Sequence, residues 1–201
     1  EQRVKWTSAL ETVNPLLGET YQQTGYGVKA VFDQLDNPRF PRTGNWAKLD
    51  YFAAESDMGS DKDYQRLMLD WRRAFTWHDY TVFATGRGGS ALGTNLPYAE
   101  KFQLGGALNL SAYRRSELVG NSFFLARLLA YKQIKEMPSA LGGGVYVGLL
   151  AETGAVSTRE EWSSALFNNT PYSVGVVLAA ETRLGPFYLT VAKGDQARHA
   201  A

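Results

Sequence analysis

The chain has 201 residues, with 21 Lys and Arg against 20 Asp and Glu, 20 Gly and no Cys. The near-neutral balance leaves no basic footprint for nucleic acid, and the lack of Cys excludes disulfides and thiolate metal sites. No stretch approaches the ~18 consecutive apolar residues of a membrane-crossing helix, a test that membrane-crossing strands evade because half of each is polar.

The chain opens on Glu1 with no charged-then-apolar leader, as expected of a processed product or of part of something longer. Residues 1–19 form a poorly defined lead-in that includes one weak strand pattern over 3–10. Strand alternation then begins. Tyr26, Val28, Ala30 and Phe32 share one face, opposed by Gly27, Lys29 and Asp33, with Val31 the exception. Leu49, Tyr51 and Ala53 oppose Lys48 and Asp50; Leu67, Leu69 and Trp71 oppose Arg66, Asp70 and Arg72. After a long polar insert over 88–121, residues 123–131 read as a further strand. Val145, Val147, Leu149 and Ala151 then oppose Tyr146, Gly148 and Glu152. Val174, Val176, Leu178, Ala180 and Thr182 oppose Glu181 and Arg183, and a last strand spans 187–193 before a frayed end over 194–201. These make seven clear strands, with 3–10 as an eighth. Successive side chains alternate faces along a strand, so each segment carries one apolar and one polar face.

A soluble sandwich and a transmembrane barrel both produce this alternation. Strand length favours the barrel: the segments run about 9–12 residues, where strands of soluble domains average about 5–6. The connections also alternate. Those at 76–79, 135–140 and 184–186 are tight, whereas those at 55–63, 88–121 and 157–172 are long, the asymmetry of an outer-membrane barrel. The connection over 36–44 is longer than its place among the tight ones predicts. On this reading a charge at Leu149 should be costly and one at Tyr146 mild.

The insert carries its own apolar anchors. Phe102, Leu104, Leu110 and Tyr113 surround Gly105-Gly106, a pair that permits a sharp turn or close backbone approach. A solvated loop has no need of such anchors. The insert is expected to fold back into the barrel lumen, although an Ω-loop packed on itself has the same composition.

Catalytic constellations are scarce. Gly88-Gly89-Ser90-Ala91-Leu92-Gly93 misses a nucleophile elbow by one residue. His78 and His199 are the only imidazoles, too few for a metal cluster. Gly86-Arg87-Gly88-Gly89 lacks the helix and Lys of a phosphate loop and reads as a strand end. No enzymatic activity and no cofactor is expected of these residues.

Three motifs in order carry a family resemblance. Asp33-x-x-Asp36-Asn37-Pro38-Arg39-Phe40-Pro41-x-Thr43-Gly44 resembles a turn of Omp85-superfamily barrels, the bacterial surface antigen family. The insert, with Phe102-Gln103-Leu104-Gly105-Gly106 and Leu110-Ser111-Ala112-Tyr113, resembles that family's sixth extracellular loop. Glu181-Thr182-x-Leu184-Gly185-Pro186 resembles its motif near the chain end. The resemblance implies an all-β, transmembrane, antiparallel up-and-down barrel. The chain would form the C-terminal half of a barrel of roughly sixteen strands, or a part-barrel completed by a second copy. It also implies residence in the bacterial outer membrane, with the lipid bilayer and the barrel-assembly machinery as partners.

Ser111, together with the helical-looking segment from Glu160 to Leu166, most resembles the barrels of patatin-like outer-membrane proteins, the type Vd autotransporters. These act as anchor and translocator for an upstream lipase passenger. An Omp85-type transporter or insertase is the alternative, and a soluble β-sandwich a third. Most of the superfamily has Arg at the position of Ser111 and Gly at that of Ala112. With Ser111 there, Tyr113, Arg114 or Arg115 is expected to meet the lumenal acids Glu152, Glu181, Asp50 or Asp70.

Overall fold

The structure is a computed structural model and describes residues 2–8, 11–13, 21–137, 142–158 and 170–195. The segment from Glu160 to Leu166 and His199 lie outside them. In chain order the strands are β1 (Gln2–Ser8), β2 (Glu11–Val13), β3 (Tyr21–Gln23), β4 (Gly25–Asp33), β5 (Gly44–Ala54), β6 (Tyr64–Trp77), β7 (Tyr80–Ser90), β8 (Phe102–Leu104), β9 (Leu118–Gly120), β10 (Ser122–Glu136), β11 (Gly142–Ser157), β12 (Tyr172–Thr182) and β13 (Gly185–Gly194). Nine of them form one sheet in the order β1-β4-β5-β6-β7-β10-β11-β12-β13, while β2 with β3 and β8 with β9 make separate ribbons. Every pairing is antiparallel. β6, β10 and β11 run to 14, 15 and 16 residues, beyond the roughly 9–11 that a tilted strand needs to cross a hydrocarbon layer.

The register carries one face across all the strands. Leu49 pairs with Leu69, Trp71 with Gly86, Ala130 with Leu149, and Leu178 with Leu189. This outward face keeps Leu69, Phe75, Trp77, Leu149, Val176 and Val191 exposed. The other face carries most of the charges of the strand interiors. Asp70 lies opposite Lys48 and Arg87, and Arg127 opposite Glu152. An exposed apolar surface of this breadth, backed by a charged interior face, is the arrangement of a lipid-facing barrel wall rather than of a soluble sheet.

The sequence pattern misses β7. Gly86, Gly88 and Gly89 have no side chain with which to report a face, so the alternation fades before the strand ends. The ladders to β6 and β10 nonetheless run to Ser90, and the long insert therefore begins at Ala91.

The connection between β4 and β5 sits at the short-turn end and is longer than a hairpin for a structural reason. Asp36 accepts from the Arg42 and Thr43 backbone N–H groups at 2.9 and 3.1 Å. Asn37 accepts from Arg39 and Phe40 at 2.7 and 3.2 Å. These side chains supply the hydrogen bonds that a ladder would otherwise provide, and they drive Phe40 into the interior. There Phe40 stacks on Tyr146, with ring centroids 4.2 Å apart and planes 7° from parallel. It meets Tyr131 edge-on at 6.3 Å. The Tyr131 hydroxyl donates to the Pro41 carbonyl. With Leu129, Leu150, Val177 and Ala179 these residues form a buried cluster that fills the short-turn end of the curved sheet. Tyr146 therefore faces inward, but as a packed ring rather than a free lumenal side chain.

Candidate functional site

The insert returns to the inside of the sheet. Its stem is the β8–β9 ribbon, with Phe102 paired to Gly120 and Leu104 to Leu118. Phe102, Leu104, Leu110, Ala112 and Tyr113 are all buried, packed with Tyr64, Phe123 and Leu125 of the wall. Burying side chains of this size is the dominant attraction between loop and wall, roughly 1.5–3 kcal/mol for each large one.

The tip is wound tightly. The Gly105 N–H donates to the Asn109 carbonyl at 2.7 Å, and the Gly106 N–H to the Tyr113 carbonyl at 2.9 Å. Gly105 has φ of 116°, and a Cβ there would strike the Arg114 carbonyl, so both conformation and approach require glycine. Leu108 and Leu110 take left-handed φ values of 58° and 73°, which cost a non-glycine residue about 1–2 kcal/mol each. Anchoring holds them there. The Ser111 hydroxyl accepts from the Leu108 N–H at 2.9 Å, the Leu108 carbonyl accepts from Arg127, and Leu110 is fully buried.

The wall supplies side chains, and the loop tip answers them largely with backbone groups. The Ser111 N–H donates to Glu152 Oε2 at 2.6 Å, and the Ala112 N–H to the Ser173 hydroxyl at 3.0 Å. Arg87 donates to the Asn109 side-chain carbonyl at 3.1 Å. Arg127 reaches both Leu108 and, at 3.1 Å, the Thr85 hydroxyl. The Tyr113 hydroxyl donates to the Asp195 carbonyl at 3.0 Å, just past the end of β13. Burial, and then the Asp195 charge, hold the Tyr113 phenol above its ordinary pKa. One loop tip thus bridges β7, β10, β11, β12 and the end of β13.

Of the four acids expected to meet the loop, the structure brings Glu152 to it. Asp70 pairs with Arg72 at 2.9 Å and Arg87 at 3.6 Å. Asp50 pairs with Lys48 at 2.9 Å and Lys29 at 3.4 Å. Glu181 lies 3.9 Å from Arg39 of the short-turn plug. Arg114 donates its backbone N–H to Glu117 at 2.6 Å and makes no ion pair with these acids among the described residues. Arg87, Asn109, Arg127 and Ser173 complete the contact and are not singled out by the sequence pattern. Arg127 could have been found: it is the one charged residue on the inward side of the 123–131 pattern, and charges there need partners.

Gly89 lies under the loop stem. A Cβ there would come 2.6 Å from the Phe102 ring and 2.7 Å from Phe123. Gly89→Val is therefore expected to cost roughly 1–3 kcal/mol by overpacking and to lower the temperature at which the compact gel band converts to the unfolded one. Gly86→Ala should leave that temperature unchanged, because a Cβ there meets only Trp71 at 3.6 Å.

An open sheet of antiparallel strands, apolar outside and charged inside, with a long loop clamped to its inner wall, defines a segment of a membrane β-barrel. The chain belongs to the Omp85 superfamily, whose domain model matches residues 3–198. This is a superfamily of outer-membrane β-barrel proteins. Among solved structures, the fold is similar to that of BamA from Haemophilus ducreyi lacking POTRA domains 1-3, with a TM-score of 0.70 at 13% identity. The match covers 88% of this chain and 40% of that one, so the chain spans less than half the length of that relative. No curated protein sequence matches it.

Proposed function

We propose that the chain is the wall of an Omp85-type transporter or insertase in the bacterial outer membrane, acting without catalysis of its own. The bilayer would contact the outward face, and the barrel-assembly machinery would install it. The observation that carries this reading is the loop tip, whose backbone is bound to Glu152 and Ser173 inside the sheet and whose Tyr113 reaches the end of β13. The clamp braces the strands next to β13, the last strand of the sheet among the described residues. A client strand could then pair with the outer edge of β13, unpaired among the described residues, while the braced wall keeps its shape.

A second reading makes the same wall the anchor of an upstream patatin-like passenger. It is favoured by Ser111 at the loop tip. Photo-crosslinking residues placed at Thr190 and Val191 of β13, in the full-length parent protein in cells, separate the two. A transporter gives crosslinks to separate outer-membrane polypeptides; a passenger anchor gives crosslinks to its own upstream chain alone. Crosslinks only to a second copy would favour a part-barrel completed by self-association.

A further inference from the structure

The outward face is not uniformly covered with large side chains. One row across five strands reads Trp71, Gly86, Ala126, Thr153 and Tyr172 in direct register. Between the two rings the floor is small, and the neighbouring row adds Leu128 opposite Ala151. The result is a groove of about 530 Å³ floored by Gly86, Ala126 and Ala151 and walled by Trp71, Leu128 and Tyr172. It opens outward, because Trp71, Leu128 and Tyr172 share the exposed apolar face and none of the lumenal loop lines it.

A cation stands at the edge of this groove. Arg73 is the next outward residue on β6 after Trp71 and lies opposite Ala84. It is exposed and makes no hydrogen bond or ion pair among the described residues. The other charged side chains at 66–72 of β6 behave differently. Arg66 pairs with Glu100, and Arg72 with Asp70, both inside. A guanidinium directed into lipid without a partner is unfavourable, and its long stem lets it reach toward the headgroups. Arg73 lies toward the short-turn end of β6, so the headgroups within its reach are those of the leaflet on that side.

We propose that this groove and Arg73 together form a binding site for one anionic glycerophospholipid of the short-turn-side leaflet. Its phosphate sits on the Arg73 guanidinium, whose planar fork matches phosphate oxygens in a bidentate manner. One acyl chain lies across Gly86 and Ala126, between the Trp71 ring and Leu128. The small floor residues admit the chain and the unpaired charge selects the headgroup. The site is fixed to the same wall that holds the loop clamp, since the strands carrying Gly86, Ala126 and Ala151 carry Arg87, Arg127 and Glu152 on their inner face.

The inference rests on the sheet spanning a bilayer, so the test carries a control for that. Full-length parent protein, wild type, Arg73→Gln and Ala126→Phe, is extracted from outer membranes and re-lipidated with phosphatidylglycerol or phosphatidylethanolamine. Retained lipid is counted by native mass spectrometry, and barrel integrity is read from the heat-modifiable gel band. Wild type is expected to retain one phosphatidylglycerol in preference to phosphatidylethanolamine. Arg73→Gln should lower phosphatidylglycerol retention roughly tenfold, the loss of one charge-assisted contact, and Ala126→Phe should abolish it, both with the compact band intact. Equal retention of the two lipids, retention unaffected by either variant, or retention of lipid A in their place overturns the proposal while leaving the barrel standing. Absence of the protein from the membrane fraction overturns both.

Discussion

Leu149→Arg, introduced into the full-length parent protein, is expected to abolish the compact heat-modifiable band and leave the chain degraded or aggregated. Leu149 lies at the middle of β11 (Gly142–Ser157), paired with Ala130 on one side and Val176 on the other. It is 67% exposed on the outward face. An arginine at the midplane of that face costs roughly 2–4 kcal/mol, a large fraction of the net stability of most folded chains. The matched control is Thr190→Arg on β13. Thr190 faces inward opposite Val177, and its hydroxyl has no hydrogen-bond partner, so the change removes no polar contact. Tyr146 does not serve as that control despite its inward direction, because it carries the Phe40 stack. If both arginine variants assemble equally well, the outward face does not meet lipid.

Glu152→Gln is expected to unseat the loop while the wall persists. Glutamine still offers an oxygen to the Ser111 N–H, so what it removes is the negative charge opposite Arg127. Glu152 is 3% exposed, its charge acts on Arg127 without a direct ion pair among the described residues, and a hydrogen bond to a charged group is worth about 1.5–3 kcal/mol, more than its neutral counterpart. The Ser111 N–H, next to the left-handed Leu110, is then held less firmly to β11. Trypsin cleavage after Arg114 or Arg115 in the native protein reports the release, and it should rise well above wild type with the compact band retained. Unchanged resistance in Glu152→Gln would mean that Leu110 and Tyr113 hold the loop by packing alone.

The two faces of the wall were legible because alternation needs only local information. Leu49, Leu69, Trp71 and Leu149 face out, and Asp50, Asp70, Glu152 and Glu181 face in, as their spacing requires. Glycine hides this signal, which is why the end of β7 from Gly88 on is assigned to the insert until its neighbours are placed. The loop was legible through Leu110 and Tyr113, apolar residues in a polar stretch. Its partners were not, because four inward acids look alike in one dimension. The choice of Glu152 depends on register: Arg127 opposes it on β10 and Ser173 opposes it on β12. Likewise, the length of the 34–43 connection makes sense only once Phe40 is seen to reach Tyr131 and Tyr146.

Leu108, at the tip of the loop from the long-loop end, packs against the Phe40 cluster of the turn from the other end. Two stoppers inserted from opposite mouths therefore meet along the same stretch of wall. Connected in series, they behave as an interlock with two keys: withdrawing either one alone leaves the other in the bore. The contact between them is shared, so withdrawing one also uncovers apolar surface of the other, and the two are mechanically coupled.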